Sequence, residues 1–271
     1  MPVMKITNIL LLGFLFFASI SKADIADIKP DALNDIKAFN LYCERTYNPK
    51  KNTNTLLLID ATDPLNADQV SYIKDNFISN LKWDNEGDKF TIVILDNKSV
   101  MNSSFITICS PLTESQITLS MAKNRELDKI AYFKKAVSEA FNGLVQTKVK
   151  ASQSPIIESL VEIFRSKRYG FENGNRHLII ASDLYQNSSY ISFYKLCNSG
   201  QCPSFKDTLK NKSISEFIGN EAKLNFNSKD SVEIFQLKTQ DKISFTVKPW
   251  WMDFLLSLGL SKERIKISSQ L

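Results

Sequence analysis

Histidine and glycine are scarce in this sequence, which contains 1 histidine and 8 glycines among 271 residues. The phosphate-binding pattern G-x-x-x-x-G-K-[ST] is missing, as are the dinucleotide-binding pattern G-x-G-x-x-G and the nucleophile-elbow pattern G-x-S-x-G. The lone His177 opens a predicted strand, where a structural role is more common than catalysis. These absences argue against a phosphate-cradling loop, a serine hydrolase and a zinc site built from histidines.

Charge is neither strong nor concentrated in one part of the chain. The formal net charge is +5, and it falls to +3 if Lys5 and Lys22 are removed with a signal peptide. So small and dispersed a charge predicts no nucleic-acid partner. With 43% hydrophobic and 23% charged residues, the composition is that of an ordinary globular protein.

The first residues have the three parts of a secretory signal. Lys5 supplies a positive charge, residues 9–20 form an apolar run, and Ser-Lys-Ala at 21–23 places small residues where signal peptidase cleaves. The run is shorter than the roughly 20 residues that span a bilayer as a helix. We therefore predict a signal peptide at 1–23, a periplasmic or secreted protein, and no membrane span after cleavage. The alternative is an uncleaved segment that anchors the chain to the inner membrane.

Four cysteines follow the predicted cleavage site, and an even number in an exported chain favours disulfides. Cys197 and Cys202 flank a short loop that suits a local disulfide. Cys43 and Cys109 then pair by elimination. A zinc site is the competing interpretation, but the cysteine spacing is not that of zinc ligands.

Continuous apolar runs alternate along the chain with segments of helical periodicity. Buried strands are predicted at 55–60, 89–95, 104–109, 176–182, 232–237 and 264–267. Helices are predicted at 24–47, 65–81, 127–149, 155–168 and 249–258. This alternation predicts a three-layer α/β fold with a doubly wound, mostly parallel sheet and helices on both faces. It occupies 55–271 as one domain, after an N-terminal helix and linker at 24–54.

Polar side chains follow two of the predicted strands. Asp60 ends the first strand and Thr62 comes two residues later, whereas Asp183 follows a later strand. Between Asp60 and Asp183 in the sequence, Ser152 and Ser154 precede the helix predicted at 155–168. In doubly wound sheets, ligands bind at the carboxyl ends of the strands where the strand order reverses. If these strands are neighbours, their oxygen atoms suit Mg²⁺, Mn²⁺ or Ca²⁺.

At these residues the chain resembles the von Willebrand factor A (vWA) family, whose doubly wound sheet ends its first strand in D-x-S-x-S. Asp60 matches the first Asp of that pattern, and Thr62 stands at the first Ser. Pro64 stands at the second Ser and supplies no hydroxyl. Asp183 matches an Asp after a later strand, with Leu184 in place of the usual Gly.

The resemblance implies a metal-ion-dependent adhesion site made of Asp60, Thr62 and Asp183, with Ser154 or Ser152 in place of a loop Thr. It implies a bound Mg²⁺ or Mn²⁺ ion whose coordination is completed by a carboxylate of a protein partner. The function expected from it is a non-enzymatic binding module in the cell envelope, such as an accessory to a secretion or conjugation assembly.

Three alternatives remain at this point. Asp60, Thr62 and Asp63 can cap the following helix without binding an ion. A metal-dependent hydrolase of phosphate esters can use Asp60, Asp63 and Asp183, and a purely structural envelope protein needs no ligand. Separately, Trp250 and Trp251 form either an exposed anchor or, as their helical spacing favours, part of the core.

Overall fold

The computed structural model describes residues 42–95, 100, 103, 105–117, 123–145, 151–169, 171, 174–197, 201–238 and 246–270. The predicted signal peptide at 1–23 and the predicted helix up to residue 41 lie outside the described residues. Residues 42–46 are helical. Six strands follow: β1 (Thr53–Asp60), β2 (Lys89–Leu95), β3 (Phe105–Cys109), β4 (Asn175–Ser182), β5 (Ser231–Gln236) and β6 (Ile265–Ser269).

The strands form one sheet in the order β3-β2-β1-β4-β5-β6. All neighbours are parallel except β2 and β3, which are antiparallel. The chain therefore builds the sheet outward from β1 to β3, crosses back to β4, and continues to β6. The order reverses between β1 and β4, and this is where a doubly wound sheet opens a crevice for ligands.

Helices connect the strands and are mostly short. They are α1 (Ala67–Ile73), α2 (Lys123–Val145), α3 (Ile156–Arg165), α4 (Phe193–Leu196), α5 (Phe205–Thr208), α6 (Lys212–Glu216) and α7 (Val247–Ser257). A π-helical turn extends α1 through Lys74–Ile78, and another extends α6 through Phe217–Glu221. Among the described residues, no helix combines the length and apolarity needed to cross a bilayer.

Both faces of the sheet are covered, which explains why β1 is apolar at successive positions. Leu56 and Leu58 pack in one core cluster with side chains of α3 and α7. Leu57 and Ile59 point to the other face and pack with α1 and α2. Because all four are fully buried, each contributes about 1.5–3 kcal/mol of hydrophobic stabilisation. The three-layer, mostly parallel α/β fold predicted from the sequence is confirmed.

Element boundaries differ from the predictions by a few residues. Strand β1 begins at Thr53 because the ladder with β4 starts there, at its partner Asn175. Helix α2 begins at Lys123, four residues before the predicted start at 127. Its first turn is polar, so the sequence there shows no periodic apolar signal. The predicted core role of the two tryptophans is confirmed, because Trp250 and Trp251 are both buried in α7.

Two disulfides have the predicted connectivity. Cys43 and Cys109 bond across 66 positions and tie the helical segment 42–46 to the end of β3, with 5.1 Å between their Cα atoms. Cys197 and Cys202 close the short loop between α4 and α5. No cysteine is left free, and closing the longer loop restricts the unfolded chain.

Candidate functional site

The Asp60 carboxylate lies at the end of β1 and is the centre of a cluster of hydroxyl groups. Its Oδ1 accepts hydrogen bonds from Thr62 Oγ1 (2.7 Å) and Thr62 N (3.2 Å). Its Oδ2 accepts from Ser154 Oγ and Ser182 Oγ, each at 2.8 Å. Only 7% of Asp60 is exposed, so these hydroxyls take the place of water around the carboxylate.

The sheet topology brings these residues together. Asp60 and Ser182 end β1 and β4, the two parallel neighbours between which the strand order reverses. Ser154 reaches the same edge from the loop before α3. Ser154 and Asn187 exchange backbone hydrogen bonds of 2.9 Å, which fixes this loop against the segment after β4. The site is thus built from three chain segments at the carboxyl edge of the sheet.

Asp183 follows β4 directly and lies beside Asp60. Its Oδ1 accepts a hydrogen bond of 2.8 Å from Tyr185 N. Burial and the nearby Asp60 carboxylate raise the pKa of the Asp183 side chain to about 7, with a smaller contribution from Asp63, while the Tyr185 hydrogen bond works in the opposite direction. Two carboxyl groups in one poorly solvated place repel each other when both are ionised.

The backbone after Asp183 is strained. Leu184 has φ of 70°, the left-handed region that side chains with a Cβ rarely adopt. Its N–H donates to Ser182 Oγ (2.8 Å), and its carbonyl accepts from Trp251 Nε1 (2.9 Å). Bonds at both ends therefore hold this conformation. Strain of this kind concentrates at functional sites, where surrounding structure maintains it.

The capping explanation for Asp60 is wrong. Helix α1 is capped by Asn66, whose side chain accepts from Gln69 N at 2.9 Å, while the Gln69 side chain accepts from Asn66 N at 2.9 Å. This reciprocal pair satisfies the start of the helix. The bonds of Asp60 go instead to hydroxyls and to the Thr62 amide. Asp183 does stabilise a local turn through Tyr185, so a structural role accounts for one of its oxygens.

The residues expected at the site are placed as follows. Asp60, Thr62 and Ser154 come together, and Asp183 lies close enough to repel Asp60. Of the two alternative serines, Ser154 is the one that contacts Asp60, whereas Ser152 is exposed. Sequence analysis missed Ser182 as a contributor. The sequence feature that could have identified Ser182 is its position as the last residue of β4, the strand that ends beside β1.

The donor set fits a hard divalent cation. It offers two carboxylates and three hydroxyls, the oxygen groups that Mg²⁺ and Mn²⁺ accept as ligands. Nowhere in the described part of the chain do three His, Cys, Asp or Glu side chains converge as a metal site. Asp60 and Asp183 would hold a cation here through their carboxylates. The hydroxyls of Thr62 and Ser154 would supply the remaining protein ligands.

Ion pairs in the part of the chain that the structure describes do not involve the two acids of the site. Among the described residues, no lysine or arginine forms an ion pair with Asp60 or Asp183. The site therefore holds negative charge that the described residues around it do not neutralise.

Comparisons with known proteins give no relative: no family model matches the sequence, and no curated protein matches it either. The functional argument therefore depends on the geometry of the site.

Proposed function

We propose that this chain is an exported, non-enzymatic protein-binding module of the cell envelope, whose contact with its partner depends on a divalent cation. The observation that carries the proposal is the pair of neighbouring carboxyl groups, Asp60 and Asp183, at the switch point of the sheet, with which no described lysine or arginine forms an ion pair. A cation relieves the repulsion between the two carboxylates, and this relief supplies part of its binding free energy.

Each residue of the site has a distinct task in this proposal. Asp60 and Asp183 supply negative charge, and Thr62 and Ser154 supply neutral oxygen ligands. Ser182 positions Asp60 through its hydroxyl. A bound Mg²⁺ or Mn²⁺ ion would present positive charge at the rim of the sheet, where a carboxylate of a partner can reach it. Pro64 supplies no hydroxyl ligand, so a carboxylate of the partner or water would complete the coordination.

Two further features support the proposal. The strand order is that of a doubly wound sheet, in which ligands bind at the carboxyl edge. The two disulfides suit an oxidising compartment such as the periplasm. The part of an accessory to a secretion or conjugation assembly belongs to the proposal by analogy of fold.

Calorimetric titration with Mg²⁺ and with Mn²⁺ tests the cation site. We expect saturable heat from the wild-type chain and none from Asp60→Ala. Asp75→Ala is the matched control, because Asp75 is an exposed carboxylate of the π-helical turn after α1 and its removal should leave the heat unchanged. Equal heat from wild type and Asp60→Ala would refute the site.

Capture of a partner tests the function itself. A crosslinked pull-down from the exported fraction should recover one envelope protein without EDTA and lose it with EDTA. Turnover of a phosphate ester with Mn²⁺, abolished by Asp63→Asn, would instead make the chain a hydrolase and overturn the proposal. Asp63 is exposed beside the site, so this substitution should not disturb the fold.

A further inference from the structure

A tyrosine-rich segment follows the candidate site directly. Residues 185–194 read Tyr-Gln-Asn-Ser-Ser-Tyr-Ile-Ser-Phe-Tyr, and we call them the tyrosine loop. The structure describes four large hydrophobic side chains as exposed, and two of them belong to this loop: Tyr190 (44% exposed) and Tyr194 (58%). The other two, Leu127 and Leu256, lie on separate helices. Exposed aromatic surface of the described residues is thus concentrated in the segment that follows Asp183 in the sequence.

The composition of the loop is typical of protein-binding surfaces. Tyrosine supplies large contact area at low cost in conformational entropy, while serine and asparagine supply adaptable hydrogen bonds. Exposed tyrosines are also common among the residues that dominate binding energy at interfaces.

The loop is held in one conformation by its own hydrogen bonds. Ser188 Oγ accepts from Tyr190 N (3.2 Å) and Ile191 N (3.3 Å), and Ser188 N donates to the Ile191 carbonyl (2.8 Å). The buried Gln186 side chain accepts from Ile157 N at the start of α3 (2.9 Å). Because the loop is already ordered, a partner would lose little entropy in binding it.

Tyr190 presents one ring face outward. Its other face stacks on Phe217, with the ring centroids 4.2 Å apart and the planes 10° from parallel. A hydrogen bond to the Glu221 carboxylate raises the pKa of the Tyr190 hydroxyl, and the charge of Glu158 adds a smaller contribution. Arg165 donates to the backbone carbonyl of Glu221 (2.8 Å). The ring is therefore a flat surface with the Glu221 carboxylate at its border.

Glu158 contributes negative charge near the ring but no accessible acceptor. Its Oε2 accepts from Gln186 Nε2 at 2.8 Å, and its Oε1 is buried. A π face bordered by the exposed Glu221 carboxylate attracts a guanidinium or ammonium group, because the ring quadrupole and the carboxylate favour the same charge. Arginine suits this place best, since its planar group stacks on the ring and donates at its edge.

We infer that the tyrosine loop is the contact surface for a protein partner that places a basic side chain, foremost an arginine, against the outer face of Tyr190. The inference rests on the proposed function in one respect: the partner is the one that also reaches the neighbouring cation site. It adds the chemistry of that partner, which must carry a basic residue close to the group that meets the cation.

Peptide display on the immobilised full chain tests the inference, with EDTA present so that the cation site contributes nothing. We expect selected peptides to be enriched in arginine and lysine, and to bind Tyr190→Ala about tenfold more weakly or worse than wild type. Glu221→Gln should weaken the same peptides about two- to fivefold. Leu256→Ala removes an exposed side chain of α7 and should change nothing.

Several results would overturn the inference. Selection of acidic or uncharged peptides, or of none that depend on Tyr190, would contradict it. So would replacement of the peptide arginine by citrulline without loss of affinity. A dimer that Tyr190→Ala converts to a monomer would show that a second copy of the chain occupies the loop.

Calorimetric titration of Tyr190→Ala with Mg²⁺ distinguishes this inference from the proposed cation site. We expect the heat of cation binding to be retained, because Tyr190 is not a ligand of the cation.

Discussion

Buried aspartates lie at both ends of the sheet, but their surroundings differ. At the amino end, Asp230 precedes β5 and forms a buried ion pair with Arg176, which also lies over the Phe164 ring at 4.7 Å. At the carboxyl end, Asp60 accepts from three hydroxyls and lies beside Asp183, a second acid. Asp230 is thus paired with a cationic side chain of the same protein, whereas the neighbour of Asp60 is a second carboxyl group.

A further buried aspartate lies at the amino end of the sheet. Asp88 precedes β2 at the amino end, and its two oxygens accept from the backbone amides of Thr53 (2.9 Å), Asp84 (2.9 Å) and Asn85 (3.0 Å). Backbone N–H groups stabilise a carboxylate because their dipoles point at it. The amino end thus uses buried acids to fix loops. At the carboxyl end, no described lysine or arginine pairs with Asp60 or Asp183, as is typical of a binding site before its ligand arrives.

The largest expected effect is at the amino end. Arg176→Met removes the cation and leaves Asp230 buried without it, so the free energy of unfolding should fall by about 3–5 kcal/mol. Urea unfolding at neutral pH measures this. Lys266→Met is the matched control, since Lys266 is exposed and pairs with Glu233 at the surface. A loss there should stay below about 1 kcal/mol. Equal losses would mean that the buried pair is not special.

The second largest effect is expected at the carboxyl end, where a substitution should raise the free energy of unfolding instead of lowering it. Asp183→Asn keeps the shape of the side chain and its acceptor for Tyr185, but it removes the negative charge. Measured in EDTA at pH 8, the substitution should stabilise the chain by about 1–2 kcal/mol, a value reduced for partial exposure of the group. Destabilisation at pH 8 would contradict the repulsion that we infer between Asp60 and Asp183.

The same substitution should change the pH dependence. The Asp183 pKa is about 7 in the folded chain, against an ordinary value of 3.8. Between these values the folded state binds more protons than the unfolded state, so wild-type stability falls as pH rises through this range. Asp183→Asn does not titrate and should lose this decline. At pH 4 the two chains should therefore differ least, and at pH 8 most.

A smaller effect tests the strained turn. Leu184→Gly and Leu184→Ala both remove a fully buried side chain, but only glycine adopts φ of 70° without strain. We expect the glycine variant to be more stable than the alanine variant by about 1 kcal/mol. The opposite order is expected in α2, where Gly143→Ala should stabilise by about 0.5–1 kcal/mol. Alanine favoured at both positions would remove the case for strain.

The fold was largely predictable because strand burial leaves a direct mark on the sequence. A strand covered on both faces is apolar at successive positions, and Leu56 to Ile59 satisfy this without a break. Strand order was not predictable, since periodicity carries no information on which strands are neighbours. The antiparallel direction of β3 was likewise hidden, because a short strand has the same pattern in either direction.

The site was predictable in part. Asp60 and Asp183 were identifiable because strand ends in such sheets meet at one edge. Ser182 was missed because its role depends on its alignment with Asp60 across two strands. The choice between Ser152 and Ser154 also needed three-dimensional information, since only the bridge to Asn187 decides which hydroxyl faces Asp60.

The central claim is that Asp60 and Asp183 together hold a divalent cation. The most direct test is urea unfolding of the wild-type chain with Mg²⁺ or with EDTA, at pH 8 and at pH 5. At about a hundredfold excess over its dissociation constant, Mg²⁺ should stabilise the chain by about 2.7 kcal/mol at pH 8. It should do far less at pH 5, where Asp183 is protonated. No stabilisation at pH 8, or the same stabilisation at both pH values, would contradict the account.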